Sequence, residues 1–339
     1  MKIVISPAVG EDRLERIVSA VHGEVVNAAD ENEARGAIAD SDAFFGKMTP
    51  ELLAAARNLR WIQCPTASLE HYVFPELVDH PSTLTNMRGI YSDVIADQVI
   101  GYILCFARNL HLYVRRQIEA RWSPVGSTST SSHISFTTGP GVPDPAQEAT
   151  LHLPDQTLGI VGFGGIGRAV AERAAVFGMS LLAVDAQPSA TTAGDLPSGL
   201  EEVWLVDRLG EMLARADFIC IAAPHTPDTF KLFRRSQFER MKSTAYVINI
   251  GRGVIVDLAD LTAALEAKEI AGAALDVFEV EPLPEDHPLW RMHNVIITPH
   301  VAGESRKVPE RHLGVLLDNV ELFQKDQPLH NVVDKKKWY

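Results

Sequence analysis

Arg252, Glu281 and His300 occur in that order within NIGRG (Asn249 to Gly253), DVFEVEP (Asp276 to Pro282) and TPH (Thr298 to His300). A guanidinium grips a carboxylate through two parallel hydrogen bonds and can polarise a neighbouring carbonyl oxygen. An unperturbed imidazole titrates near ~6.5, which suits proton exchange at neutral pH. A carboxylate beside that ring stabilises its protonated form and keeps a proton available for delivery. Together these are the groups needed to hold a 2-oxo acid and move a proton on its oxygen.

A hydride source is suggested upstream. In GIVGFGGIG (Gly159 to Gly167) an apolar run meets a glycine-rich turn that opens a helical pattern, so backbone amides and a helix N-terminus can face a pyrophosphate. Gly162 permits the tight turn, Gly164 lets phosphates approach, Gly167 allows close helix–strand packing, and Gly165 and Ile166 complete the loop. A lone GxGxxG also marks ordinary turns, and the strand and helix around this one raise its weight. Asp185 ends the next apolar run, LLAVD, where a carboxylate can accept both ribose hydroxyls. It would repel a 2′-phosphate, and Ala186, Gln187 and Pro188 follow in place of an arginine. NAD is therefore the expected cofactor, with NADP the lesser possibility. A dinucleotide site and a proton donor on one chain imply a dehydrogenase.

To position these groups, six strand candidates follow Thr157: LGIVGF, LLAVD, DFICIAAP, AYVINIG, AGAALDV and NVIITP. With helical patterns between most of them they predict a doubly wound dinucleotide-binding sheet, which places its ligands at the carboxyl ends of its strands. Arg252 and His300 fall at such ends. From Lys2 to about Met87, runs such as IVIS, AFFG and RWIQC alternate with helical patterns and predict a smaller parallel α/β unit. One helical pattern from Ser92 to about Arg121 is expected to carry a domain boundary and a subunit contact. Ser123 to Asp155, rich in Ser, Thr, Gly and Pro, reads as a long loop. A helix is expected after His300 to about Lys325, and HNVV then returns to finish the first domain.

The 339 residues exceed what one core usually organises, so two domains are expected. A net charge of −13 argues against a nucleic-acid or anionic-membrane partner. Cys64, Cys105 and Cys220 lack metal-like or redox-pair spacing and read as reduced core thiols. No HExxH or paired His/Cys spacing points to a metal, and GxSxG is absent. The apolar run in MKIVISPAVG is too short for a secretory signal, and Val94 to Ala107 too short for a membrane span. A cytoplasmic protein is the expectation.

GFGGIGR, INIGRG, the span Asp276 to Pro284, and ITPHVAG resemble the D-isomer-specific 2-hydroxyacid dehydrogenase family, over nearly the whole chain. The resemblance implies that Arg252 binds the substrate carboxylate, Glu281 orients and charges the histidine, and His300 is the acid/base. It further implies that Asp276 contacts the nicotinamide amide and that Pro224, in APHT, lines the adenine side of the cofactor cleft. The implied architecture is a Rossmann cofactor domain, residues 96–302, inserted into a smaller flavodoxin-like substrate domain, residues 1–95 and 303–339. Members are usually homodimers joined through the cofactor domains.

The chain departs from the family where an Ala-Gly-Val-Asp run commonly receives the substrate carboxylate on its amides, and Ala67, Ser68, Leu69 and Glu70 stand there instead. Losing that glycine restricts the backbone. Lys47, after AFFG, is expected to bind a second polar or anionic group on the substrate. The formate dehydrogenase branch lacks the glutamate kept here as Glu281. Phosphoglycerate dehydrogenases often carry a carboxy-terminal regulatory domain, so with Tyr339 soon after HNVV that branch is the less expected one. Small 2-oxo acids such as glyoxylate or hydroxypyruvate are the default substrates, giving the D-2-hydroxy acid. The alternatives are a dinucleotide-sensing, corepressor-like binding protein and a dehydrogenase for a bulkier, sugar-derived 2-oxo acid.

Overall fold

Strands that read as short continuous apolar runs belong to parallel sheets covered on both faces, because alternate side chains leave the sheet in opposite directions and both sets need a core. A computed structural model of the chain describes residues 1–126, 142, 144–188 and 196–338 and has this arrangement twice. The chain divides into two compact units, Met1–Tyr91 with Glu304–Tyr339, and Ser92–Gly303.

The first unit has a five-stranded sheet of β1 (Lys2–Ser6), β2 (Glu24–Asn27), β3 (Ala43–Gly46), β4 (Trp61–Gln63) and β5 (Thr83–Thr85), ordered β2-β1-β3-β4-β5 and wholly parallel. Ile3, Ile5, Phe45 and Trp61 enter one core, while Val4, Phe44 and Ile62 enter the other. This is the flavodoxin-like order, with its switch point between β1 and β3. Asp30 and Thr49 cap the helices Glu31–Ala37 and Pro50–Ala55 by accepting from Glu33 N and Leu52 N, satisfying amides a helix start leaves orphaned. The helix Val308–Gln324 closes one face, and Asn319 on it donates to Gln63 Oε1 at 3.0 Å and accepts from His330 N at 2.7 Å. Those bonds dock the carboxy-terminal segment, where Val333 N donates to Leu84 O at 2.9 Å.

The second unit has a seven-stranded parallel sheet of β6 (Thr157–Val161), β7 (Ser180–Asp185), β8 (Val203–Leu205), β9 (Phe218–Ile221), β10 (Tyr246–Asn249), β11 (Gly272–Leu275) and β12 (Val295–Ile297). Its order is β12-β11-β10-β9-β6-β7-β8, the dinucleotide-fold order extended by one strand. Leu158, Ile160, Ala183, Phe218 and Cys220 serve one core, and Val161, Val184, Ile219 and Ile221 the other. The helices Ser92–Ala107 and Gly165–Val176 pack together on one side of this sheet.

Several expectations need correction. The second sheet has a seventh strand, β8, where six were expected; like β2 and β5 of the first sheet it is an incompletely buried edge strand. The long helix from Ser92 is two helices, Ser92–Ala107 and Leu110–Ile118, broken where Asn109 takes a left-handed φ of 56° and its side chain donates to Ala149 O at 2.7 Å. Within Ser123 to Asp155, residues 127–141 and 143 lie outside the described residues. The later part is not loop throughout, because Asp144 caps a short helix Pro145–Glu148. Cys64 and Cys220 are buried, but Cys105 is only half-buried. Among the described residues no helix is long and apolar enough to cross a membrane.

Burial pushes His80, His111 and His312 below the ordinary histidine value of 6.5. The unfolded chain therefore takes up these protons first, and stability must fall as pH drops below about 6.5, levelling once the folded imidazoles charge. Asp40, Glu211, Asp257, Glu310 and Glu321 are held below the ordinary carboxylate value by hydrogen-bonded Lys or Arg, so their contribution is lost in a separate window below about pH 4.5. Melting temperature followed from about pH 8 to about pH 3 should show two falls. A flat profile between about pH 7 and pH 5 would contradict the histidine part.

Candidate active site

Arg252 follows β10, Asp276 and Glu281 follow β11, and His300 follows β12, three neighbouring parallel strands whose carboxyl ends share one edge. The turn carrying Arg252 is built by Asn249, which is 1% exposed. Its Oδ1 accepts from Gly251 N and its Nδ2 donates to Arg252 O, each at 3.1 Å. This is an Asx turn that the NIG triplet signals, yet the sequence reading gave Asn249 no role. Gly253 is required by contact: a Cβ there would sit 1.8 Å from the Phe278 carbonyl carbon. The arginine turn thus lies directly on the peptide leading to Glu281. Arg252 Nη1 donates to Gly251 O at 2.8 Å, which holds the guanidinium near its own turn.

Glu281 and His300 meet at 2.7 Å, Oε2 to Nδ1, while Glu281 Oε1 accepts from Phe278 N at 2.9 Å. An ionised carboxylate only accepts, so Nδ1 carries the hydrogen and Nε2 is the atom left to exchange a proton. The side chains are 47% (His300) and 36% (Glu281) exposed, so a substrate can reach them and the pair is not sealed in the core. The backbone of His300 is left-handed, φ 54°, an arrangement uncommon for a residue with a side chain.

Asp276 explains how that conformation is kept. It is 2% exposed, and its carboxylate accepts from Thr298 Oγ1 at 2.5 Å, Val301 N at 2.9 Å and Ala302 N at 3.0 Å. Its carbonyl accepts from His300 N at 2.9 Å. Since Thr298 donates to Asp276, its oxygen accepts from the Tyr102 hydroxyl, which comes from the helix Ser92–Ala107. Tyr102 and Thr298 were not singled out from sequence; a tyrosine on an apolar helix and a threonine beside Pro299 carry no distinguishing pattern.

The glycine loop opens at the sheet's switch point, between β6 and β9. Gly162 has φ 92°, and a Cβ on it would lie 2.7 Å from Ala223 Cα; on Gly167 it would lie 2.2 Å from Gly162 O. Gly164 differs, because a Cβ there meets nothing within 4 Å. Gly162 and Gly167 are thus demanded by the fold, whereas Gly164 leaves open space at the N-terminus of a twelve-residue helix, which fits a pyrophosphate. Gly165 and Ile166 open that helix, and Ile166 turns into the core. Asp185, half-buried at the end of β7, accepts from Phe163 N at 2.7 Å and Gln187 N at 2.8 Å, tying the second strand to the loop. Pro224 is exposed just beyond β9. The residues present fit a dinucleotide, and among the described residues no His, Cys, Asp or Glu group could hold a metal ion.

The remaining candidates lie in the first unit. Lys47 is exposed at the carboxyl end of β3, with Nζ 5.5 Å from the centre of the Tyr72 ring. Ala67 and Ser68 are half-buried just past β4, their carbonyls accepting from Asn86 Nδ2 at 2.8 Å and Thr66 Oγ1 at 2.6 Å.

Residues 100–302 match the family model described as D-isomer specific 2-hydroxyacid dehydrogenase, NAD binding domain. A glyoxylate reductase of Thermofilum pendens is 31% identical over 307 residues, covering 88% of this chain and 83% of that protein. A D-isomer specific 2-hydroxyacid dehydrogenase family protein from Aeromonas salmonicida is 30% identical, with a TM-score of 0.74 over 98% of this chain and 99% of that one. A D-isomer specific 2-hydroxyacid dehydrogenase from Xanthobacter autotrophicus, solved with NADPH and MES, is 25% identical with a TM-score of 0.77, over 100% and 99%.

Gly164 and Gly167 predict different failures. Gly164→Val should melt close to the parent chain yet weaken dinucleotide binding at least about tenfold, measured by calorimetric titration. Gly167→Ala should instead lower the melting temperature, because its new methyl has no room. A Gly164→Val protein that binds as before would remove the pyrophosphate from this loop.

Proposed function

The chain belongs to the D-isomer specific 2-hydroxyacid dehydrogenase family, and from that premise we propose that it reduces a small 2-oxo acid to the D-2-hydroxy acid with NADH. The observation that carries the reading is the His300–Glu281 pair, which fixes Nδ1 as a donor and leaves Nε2 to deliver a proton, on the same sheet edge as the Arg252 fork. When bound, the reduced nicotinamide supplies the hydride that reaches the carbonyl carbon. Arg252 binds the carboxylate of the substrate and polarises its carbonyl oxygen. His300 Nε2 gives that oxygen its proton, and Glu281 stabilises the imidazolium before transfer. Asp276 keeps His300 in place and offers its remaining acceptor capacity to the nicotinamide amide.

Glyoxylate and hydroxypyruvate are the preferred substrates in this reading, supported by the glyoxylate reductase relative. NAD is favoured over NADP by the Asp185 carboxylate at the end of β7. The first unit is the substrate-binding domain, with Ala67 and Ser68 receiving the carboxylate and Lys47 a second polar group, and the second is the cofactor domain. We further propose a homodimer acting in the cytoplasm. Leu110, Val114 and Ile118, spaced four apart on one helix stripe, are 45%, 57% and 83% exposed and form an apolar stripe suited to a second copy. The sensor alternative has no observation favouring it, since cofactor sensing needs no Arg252, Glu281 and His300 together.

NADH and NADPH oxidation against a panel of glyoxylate, hydroxypyruvate, pyruvate, phenylpyruvate and sugar-derived 2-oxo acids tests the reading. We expect turnover with NADH, fastest on the small acids. His300→Ala should lower kcat by roughly 10²- to 10⁴-fold while NADH still binds. Arg252→Lys should raise KM and lower kcat, because a point charge does not replace the planar fork. Undiminished turnover in His300→Ala would exclude His300 as the proton donor.

A further inference from the structure

Beyond β4 the chain runs through Pro65, Thr66, Ala67 and Ser68, and each carbonyl from Pro65 to Leu69 accepts a hydrogen bond. Thr66 O accepts from Met87 N at 3.0 Å, Ala67 O from Asn86 Nδ2 at 2.8 Å, Ser68 O from Thr66 Oγ1 at 2.6 Å and Leu69 O from Tyr72 N at 2.9 Å. Pro65 O, the first of the series, accepts from His312 Nε2 at 2.9 Å, a residue 247 positions further along the chain. A segment whose carbonyls are all held by the protein keeps the negative ends of its peptide dipoles away from an incoming anion.

His312 is itself held from behind. Its Nδ1 lies 2.6 Å from Arg13 Nη2, on the helix Glu11–Ala20, and the Phe45 ring lies 5.7 Å away. A guanidinium has only donors, so Nδ1 must accept and Nε2 must carry the hydrogen that reaches Pro65 O. One neutral tautomer satisfies both contacts. A second proton would occupy the lone pair that Arg13 uses and set two cations against each other. The charged groups around the ring are Arg13 on the facing helix, together with Arg311 and Glu310 on its own. Arg311 donates to Ile90 O, and Glu310 is paired with Arg16 at 2.8 Å. β3 contributes the apolar Phe45 and the segment after β4 a neutral carbonyl.

We propose that His312 is a positioning residue for the segment Pro65–Ser68, transmitting Arg13 to the Pro65 carbonyl, and that without it the segment loosens and binding of the 2-oxo acid weakens. The effect on substrate rests on the proposed reading of Ala67 and Ser68 as carboxylate receivers. Burial pushes the imidazole below its ordinary value, the Pro65 carbonyl draws it partly back, and the Arg13 charge adds to the lowering. The neutral tautomer that makes both contacts is therefore the form present at neutral pH, and a proton taken up in acid would remove the Arg13 contact while keeping the Nε2 donor to Pro65 O.

The test compares wild type, His312→Leu and His312→Gln from about pH 5 to about pH 8. It reads KM for the 2-oxo acid, Kd for NADH, and amide hydrogen exchange at residues 66–70. His312→Leu should raise KM about tenfold at neutral pH, the scale of one buried hydrogen bond, and leave Kd for NADH unchanged. His312→Gln keeps an amide donor for Pro65 O and does not titrate. It should hold KM within about threefold of wild type. Exchange at 66–70 should quicken in His312→Leu and not in His312→Gln. Wild-type KM in His312→Leu, or a KM in His312→Gln raised as far as in His312→Leu, would overturn the proposal. If the wild type turns over no 2-oxo acid, the functional reading fails separately. The exchange data then decide alone: faster exchange in His312→Leu upholds the positioning role, and unchanged exchange removes it.

Discussion

Asp276 is a buried carboxylate, and burying such a charge is tolerable only when hydrogen bonds replace its water. Its donors here are Thr298 Oγ1, Val301 N and Ala302 N, all from the segment containing His300. Satisfying Asp276 therefore dictates the path of that segment, including the left-handed backbone of His300. With His300 N also bound to Asp276 O, the imidazole is delivered to Glu281 at 2.7 Å. The electrostatic need of one buried group fixes the geometry of an exposed one, so His300 sits at the surface with both its backbone and its ring held.

The same economy governs the rest of the edge. Gly253 lets the Arg252 turn touch the Phe278 peptide, and Gly162 lets the first loop touch Ala223. These close approaches gather loops from separate strands without side chains between them. The parallel sheet makes this possible, because every strand of the second unit delivers its loop to one edge.

Much of this was legible in the sequence, for identifiable reasons. Arg252, Glu281 and His300 stand in short stretches whose residue types already specify chemistry, and apolar runs such as LLAVD and DFICIAAP located strands because both faces of them are buried. The edge strands β2, β5 and β8, none of them wholly buried, were not picked out, whereas the equally short but fully buried β3 and β4 were. The break at Asn109 escaped because the apolar spacing continues across it, while the cause is a left-handed residue whose side chain reaches Ala149 O. Tyr102, Thr298 and His312 were missed for a common reason. Each acts through a partner that only the fold brings near, as when His312 meets Pro65 across 247 positions of chain.

On the proposed reading, this edge couples hydride arrival at a 2-oxo carbon to proton delivery from His300. The most direct test is a single-turnover reaction with NADH deuterated at the transferring C4 position, followed by location of the label and its configuration in the product. The account predicts deuterium at C2 of the D-2-hydroxy acid, formed quickly by wild type and slowly by His300→Ala. Absence of label at C2, product of the L configuration, or equal rates in the two proteins would contradict it.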